Sequence, residues 1–545
     1  MRKFLTFVAA TFIAGSLFAG GLVTNTNQSA AWVRLPARNA SVGIDAAYFN
    51  PAGLMKLENG FHFSVSNQTI FQTKTVENFY KGPGNAYGLN QSLYEGKVSA
   101  PVFPSIYAVY KMDRLAFSFG FNPVGGGGGA IYSKGLPSFE MSPSDVVPAL
   151  AASQGATKYR LDAYLDGSSV FFGLQGGVSF KINDMISVAA AVRYVTAKNT
   201  YKGHLKDIEI LLPSGWTRAD AIMNGISTQA KSGGDALIQP ISQGIGGITA
   251  TAAAAAGYIS TTQRDAIIGG LTSLGVPNAS ALTIAQSQTA YYGSSAKYAQ
   301  KAILLDDQAV DATQTGSGVT PIFSVNISPS ENLNIGIKYE MATKIVLENN
   351  TISDFTTGFT SAGSPITRFP DGAKTNNDMP AMISLGVDYK IAETVKLSFG
   401  SNYFFDKKSD YGHTMDLDNS SSTPSTPVSN SYIIYDGGFS LQAGAEINLN
   451  DKLLVSGGYV WANRGVNDKY QSDLTYGLGS NTFGIGGAYS IKDNLQVNLG
   501  FGYTFFSQDD QYISHVFEAN GQLYMPLETY NKNAMIFAVG VDFSF

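Results

Sequence analysis

The chain has 545 residues, 14% of them charged, and its formal net charge of −5 leaves no basic face for a nucleic-acid partner. It contains no cysteine, which removes disulfides, thiolate metal sites and cysteine nucleophiles. Gly (59), Tyr (29) and Phe (33) are abundant and the mean hydropathy is even, as in strands with one lipid-facing and one crowded face.

The chain opens with Arg2 and Lys3, an apolar run from Phe4 to Phe18, and the cleavage-like Leu17-Phe18-Ala19, which predicts a secretory leader over residues 1–19. Beyond it no stretch approaches the ~18 consecutive apolar residues of a spanning helix. Residues 20–59 match neither a leader nor a strand. They carry Asp45-Ala46-Ala47-Tyr48-Phe49-Asn50-Pro51-Ala52-Gly53-Leu54. Pro51 restrains Asn50 away from helix, Asn50 can satisfy nearby backbone groups, and Gly53 permits a sharp bend, so the tetrapeptide predicts one compact turn.

From Gly60 onward the pattern is period two. Leu115, Phe117, Phe119 and Phe121 share one face, as do Ile383, Leu385, Val387 and Tyr389, then Val395, Leu397, Phe399 and Tyr403, and Leu495 through Phe505. The chain ends the same way, with Met535, Phe537, Val539, Val541, Phe543 and the C-terminal Phe545 on one face. A soluble sandwich would also alternate, with its apolar face inward. Aromatics near strand ends and unequal loop lengths favour a membrane barrel instead.

Six junctions are tight: Met112-Asp113-Arg114, Asn183-Asp184, Pro329-Ser330-Glu331, Ala392-Glu393, Asn450-Asp451 and Lys492-Asp493. With seven long loops they predict an all-β fold, a transmembrane antiparallel β-barrel of about fourteen strands over residues 60–545. Gln175, Arg193, Lys338, Asp388, Lys396, Asn402, Gln442, Glu446, Gln496 and Asn498 then line a polar lumen. Asp406-Lys407-Lys408 and Asp509-Asp510 read as solvated rim charges. A closed barrel has no strand edge demanding a partner, which predicts a monomer.

The third strand is unusual, because Phe121-Asn122-Pro123-Val124-Gly125 leads into the glycine run Gly125 to Gly129. Proline cannot donate to a ladder and glycine weakens a strand, so a kink or bulge is expected here. The largest insertion lies at about 203–320. Its middle predicts helix, from the capping-box spacing of Ser260 and Gln263, the helical spacing of Ile267, Leu271 and Leu274, the closing Gly275 and Pro277, and the Ala-rich run Thr251 to Ala256. Such an extracellular insertion can form a packed cap or present an apolar surface.

The segment around Asn50-Pro51-Ala52-Gly53, placed just before Gly60-Phe61-His62-Phe63-Ser64, resembles the FadL/TodX family of long-chain fatty acid and hydrophobic-compound transporters. In that family an N-terminal hatch plugs a fourteen-stranded barrel. Asn122 to Gly125 resemble the family's Pro-Phe-Gly-like segment, although Val124 replaces the aromatic. The resemblance implies a hatch over residues 20–59 and passive passage of hydrophobic small molecules, long-chain fatty acids or similar. It implies sideways release beside the third strand near Asn122, Pro123 and Gly125, with outer-membrane lipid as surroundings and the bacterial outer membrane as location.

Two other readings use the same wall. A nonspecific porin needs a water-filled lumen, which residues 20–59 oppose, and a surface adhesin would bind without altering uptake. Catalysis has no visible carrier: His62, His204, His413 and His515 are scattered, no G-x-S-x-G elbow serves them, and none shows paired metal-ligand spacing. The glycine run lacks the Lys and Ser/Thr of a phosphate-binding loop. No catalytic residue, metal or cofactor is expected.

Overall fold

The computed structural model describes residues 22–82, 87–415, 426–427, 429–517 and 522–545; the expected leader lies outside them. Before the wall come α1 (Ala30–Arg34), α2 (Ala46–Phe49) and a 3-10 turn, Pro51–Lys56. The wall begins with β1 (Gly60–Asn78), β2 (Leu93–Met112) and β3 (Leu115–Tyr132), followed by helix α3 (Pro137–Gln154), then β4 (Lys158–Lys181) and β5 (Ile186–Leu212). A helical insertion contributes α4 (Ala219–Asp235), α5 (Ala250–Ala255), α6 (Thr261–Ser273) and α7 (Ile284–Leu304). The wall resumes with β6 (Gln308–Ser330), β7 (Leu333–Glu340, continued as Val346–Ser353), β8 (Lys374–Asn376, continued as Met382–Ala392) and β9 (Val395–Phe404). It finishes with β10 (Phe439–Asn448), β11 (Leu453–Asn463), β12 (Ser480–Lys492), β13 (Leu495–Phe506) and β14 (Leu527–Ser544).

Neighbouring strands pair antiparallel, and β14 pairs with β1 from His62↔Ser544 to Asn78↔Glu528, closing a fourteen-stranded barrel. Closure satisfies backbone groups that lipid cannot. At the seam Phe545 exchanges both backbone hydrogen bonds with Phe61, and its ring stacks on Phe61 and Phe63 at 5.4 and 5.9 Å. Alternation sorts the faces as expected: Phe117, Phe119, Leu385, Phe399, Leu499 and Phe537 face outward, while Gln175, Arg193, Lys338, Asn402, Gln442 and Asn498 are buried inside. The tight turns fall where predicted. Asn183 and Asn450 close two of them by accepting backbone N–H groups two and three residues on, and Asp113 adopts the left-handed conformation.

The insertion is a packed cap. Leu237, Ala253, Leu271, Ile284 and Tyr291 form its own core, and a second cluster, including Val147, Leu150, Ile208, Ile210 and Met223, fastens it to α3 and the tops of β4 and β5. Ser260 and Gln263 form the expected reciprocal cap, and Thr283 with Gln286 forms a second. The cap is shorter than the sequence pattern suggested, because the β5–β6 ladder runs on to Leu205↔Gln308. Past Tyr194 the outward positions of β5 are polar (Thr196, Lys198, Thr200, Lys202), which hides the alternation there. Asp406 is also corrected: it is buried, accepting from Tyr411 Oη at 2.5 Å and Gly438 N at 2.8 Å. Burial pushes its carboxyl above the ordinary value.

Candidate functional site

Residues 22–57 lie inside the barrel, and the tetrapeptide Asn50-Pro51-Ala52-Gly53 is where they are fixed to its wall. Asn50 Nδ2 donates to Asn326 Oδ1 at 2.8 Å and to the Ser41 carbonyl at 3.2 Å. Ser179 Oγ donates to the Pro51 carbonyl at 2.7 Å, Ser324 Oγ accepts from Ala52 N at 2.8 Å, and Ser187 Oγ donates to the Ala52 carbonyl at 2.7 Å. Strands β4, β5 and β6 thus supply the partners that a buried turn would otherwise lack. Gly53 is required by proximity, since a Cβ there would stand 2.5 Å from the Ser41 carbonyl and 2.6 Å from Asn50 Nδ2. It is not among the positive-φ positions, so its use differs from the sharp bend that the sequence suggested.

Charge organises the rest of the hatch. Asp45 accepts from Arg38 Nη2 at 2.6 Å, Ser41 Oγ at 2.7 Å and Ser29 Oγ at 2.8 Å. Burial alone would push this carboxyl up, but the Arg38 guanidinium and the two hydroxyls together hold it below the ordinary value. Arg34 reaches Glu446 at 2.5 Å, and Lys338 donates to the Tyr48 carbonyl at 2.9 Å. Arg193 and Lys338 also lie over the Tyr48 ring, at 4.9 and 4.4 Å from its centroid.

The wall is interrupted at β3. The β2–β3 ladder stops at Lys97↔Ile131 and resumes at Ile106↔Phe121, leaving residues 98–105 and 122–130 unpaired with each other. Strand β3 stays with β4 through bulges at Pro123/Gly125 and Gly125/Gly128. Gly126 and Gly128 take φ of +92° and +69°, which a side chain would resist.

What β3 loses from β2 it recovers from the hatch. Asn25 N donates to the Val124 carbonyl at 2.8 Å and Gly126 N to the Val23 carbonyl at 2.9 Å. Gln28 Nε2 donates to the Pro123 carbonyl at 2.9 Å, and Asn122 Nδ2 to Gln28 Oε1 at 2.6 Å. A Cβ on Gly125 would stand 2.6 Å from the Val23 carbonyl, so glycine lets the two chains approach. Asn122, Pro123 and Gly125 thus meet residues 23–28, whereas Asn50 to Gly53 are bonded to β4, β5 and β6.

Above the hatch, barrel closure puts Lys74 of β1 directly opposite Lys532 of β14, both buried and both inward. Lys532 Nζ donates to the Tyr476 carbonyl at 2.9 Å; Lys74 Nζ has no hydrogen bond or ion pair among the described residues. Neither polar atom of the buried Gln72 amide has a partner among them either. The cavity beside these groups, lined by Tyr132, Leu165, Tyr201 and Tyr476 among others, measures about 40 Å³, space for about one water. Helix α3 covers it. Tyr159 Oη donates to Glu140 at 2.7 Å, Tyr80 Oη donates to Asp145 at 2.6 Å, and His515 Nε2 meets Asp145 at 2.8 Å.

The sequence analysis did not identify α3, which holds Pro143 and Pro148 within it, nor the lysine pair. The residues of that pair lie at opposite ends of the chain, and only the register across the closing seam joins them.

A family model described as outer membrane protein transport protein (OMPP1/FadL/TodX) matches residues 166–545. Among solved structures, the fold is similar to a FadL homologue of Pseudomonas aeruginosa at 12% identity, covering 100% of both chains with a TM-score of 0.55. It is also similar to the toluene transporter TodX of P. putida at 13% identity, covering 92% of this chain and 94% of that one with a TM-score of 0.48. No curated protein sequence matches the chain.

Proposed function

Since the chain belongs to the outer membrane protein transport family (OMPP1/FadL/TodX), it is a bacterial outer-membrane transporter of hydrophobic compounds, and we propose that it carries long-chain fatty acids. The cargo reading rests on Lys74 and Lys532. Like charges placed directly opposite destabilise a strand pair, and a buried ammonium is costly without a counter-charge. A carboxylate between them removes both penalties, and Gln72 beside Lys74 offers it a further hydrogen bond. The acyl chain then extends among Tyr132, Leu165 and Tyr476. Because the resting cavity is small, entry requires the covering loops to move.

Release is proposed to run sideways through the interrupted β2–β3 ladder. The hatch segment Val23 to Gln28 occupies the inner side of β3 there, so plug and gate share one set of hydrogen bonds. Shifting the hatch exposes an outlet into lipid, where an apolar chain avoids crossing water. Occupancy must favour the shifted hatch, since a ligand moves such an equilibrium only through differential affinity. The proposed route is passive.

Oleate and toluene uptake by cells producing Lys74→Met with Lys532→Met test the cargo. Oleate uptake should fall at least tenfold with toluene unchanged; equal effects on both would sink the acid-head assignment. Deleting two residues of the run Gly125 to Gly129 tests the route, because β3 carries two more residues than β4 between Pro123↔Phe172 and Gly128↔Ser169. The straightened strand should pair with β2 and stop uptake. Continued oleate uptake by a folded barrel would reject lateral release.

A further inference from the structure

The gap has two edges, and only the β3 edge is explained by its own kink. Strand β2 has a bulge where Gln68↔Phe103 is followed by Ile70↔Ala100, so Pro101 and Val102 oppose Thr69 alone. Pro101 and Pro104 have no N–H to give, which already weakens the pairing of β2 on both sides. Two β1 side chains then bind the bulge: Asn67 Nδ2 and Thr69 Oγ1 each donate to the Pro101 carbonyl at 3.0 Å, and Asn67 Oδ1 accepts from Phe103 N at 3.0 Å.

Their placement is unusual. Asn67 and Thr69 lie on the outward face with Phe63, Val65 and Phe71, and they border a hollow of about 730 Å³ lined by Val455, Ile485, Leu499, Phe501, Phe537 and Val539. A polar side chain facing hydrocarbon is unfavourable unless its groups are satisfied. Here the satisfaction comes from the one stretch of β2 that does not follow the ladder.

We infer that Asn67 and Thr69 are positioning residues for the lateral gate: they fix residues 98–105 of β2 as a stationary outer jamb, against which the hatch and β3 form the moving side. Among the described residues the side-chain hydrogen bonds to the bulge come from β1, and none comes from β3. The jamb keeps its shape through a transport cycle, and the hydrogen bonds that must break on opening are confined to the hatch side. This inference rests on the lateral-release reading.

The test is amide hydrogen exchange by mass spectrometry combined with oleate uptake, in full-length protein carrying Asn67→Val with Thr69→Val. Exchange in the peptide spanning 98–106 should rise roughly tenfold while the hatch peptide spanning 22–34 is unchanged, and uptake should fall several-fold. Thr69→Ser, which keeps the hydroxyl, should leave exchange and uptake as in the parent. Unaltered exchange at 98–106 overturns the jamb. Raised exchange with parental uptake also overturns it, since the edge would then be held but not used. Failure of lateral release itself is read separately, as continued uptake by the straightened β3 variant, and leaves the exchange result standing.

Discussion

Gly53→Ala puts the plug's lower attachment to a quantitative test. The added methyl would stand 2.5 Å from the Ser41 carbonyl, against the 3.4 Å of an ordinary contact, so the turn must move by nearly an ångström. Four hydrogen bonds to the wall converge on this turn, from Asn50, Pro51 and twice from Ala52, at 2.7 to 2.8 Å. A displacement of that size takes them out of bonding range. At about 1 kcal/mol each the loss approaches about 4 kcal/mol, which favours the unseated hatch by close to a thousandfold. Amide exchange of the peptide spanning 44–57 reports this directly, and that peptide should exchange up to about a thousandfold faster. The heat-modifiable mobility of the barrel on a gel should not change, because the wall ladders are untouched. Parental protection in the 44–57 peptide of a folded Gly53→Ala barrel would refute the idea that this close approach holds the plug.

Two further outcomes follow from the same geometry. Asp45, held below the ordinary carboxylate value by Arg38 against the opposing effect of burial, stabilises the seated hatch fully above the unfolded pKa of about 3.9. That contribution is lost as pH falls through its lower folded value, so hatch exchange should be pH-independent, after correction for intrinsic rates, from pH 5 to 8 and accelerate below about pH 4. Asp45→Asn should shrink that acid limb to what protonation of Glu446 in the Arg34–Glu446 pair contributes. Ser260→Ala removes the reciprocal cap of α6 and should destabilise the helical insertion by about 1 kcal/mol, seen as faster exchange in 260–273 with no change in the peptides of residues 22–57.

The wall was legible in the sequence because alternation is a local property: each strand announces its two faces without reference to its neighbours. The tight turns were legible for the same reason, since Asn183 and Asn450 act on amides two or three positions away. The tetrapeptide was legible as a turn but not as an anchor. Its partners Ser179, Ser187, Ser324 and Asn326 are common wall residues whose meaning depends on register. Gly53 is constrained by a carbonyl brought near by folding, which no spacing rule contains. Pro123 and the glycine run marked an irregular strand, but the sequence did not say that the hatch would take over its hydrogen bonds. Asp406 was misread because three residues of one charged patch were treated alike, although the fold buries one and exposes two.

The β1–β14 register is unbroken from His62 to Asn78, while the ladder between the sequence neighbours β2 and β3 is missing across eight positions of β2, residues 98–105. The place where the chain's two ends meet is therefore the firmer seam, and the weaker one lies within the first quarter of the sequence. Loosening of the wall on heating is therefore expected to begin at residues 98–105 with the β1–β14 seam still paired, an order that amide exchange of the two segments would reveal. Limited proteolysis should accordingly cut residues 22–34 or 98–130 before the paired terminal strands.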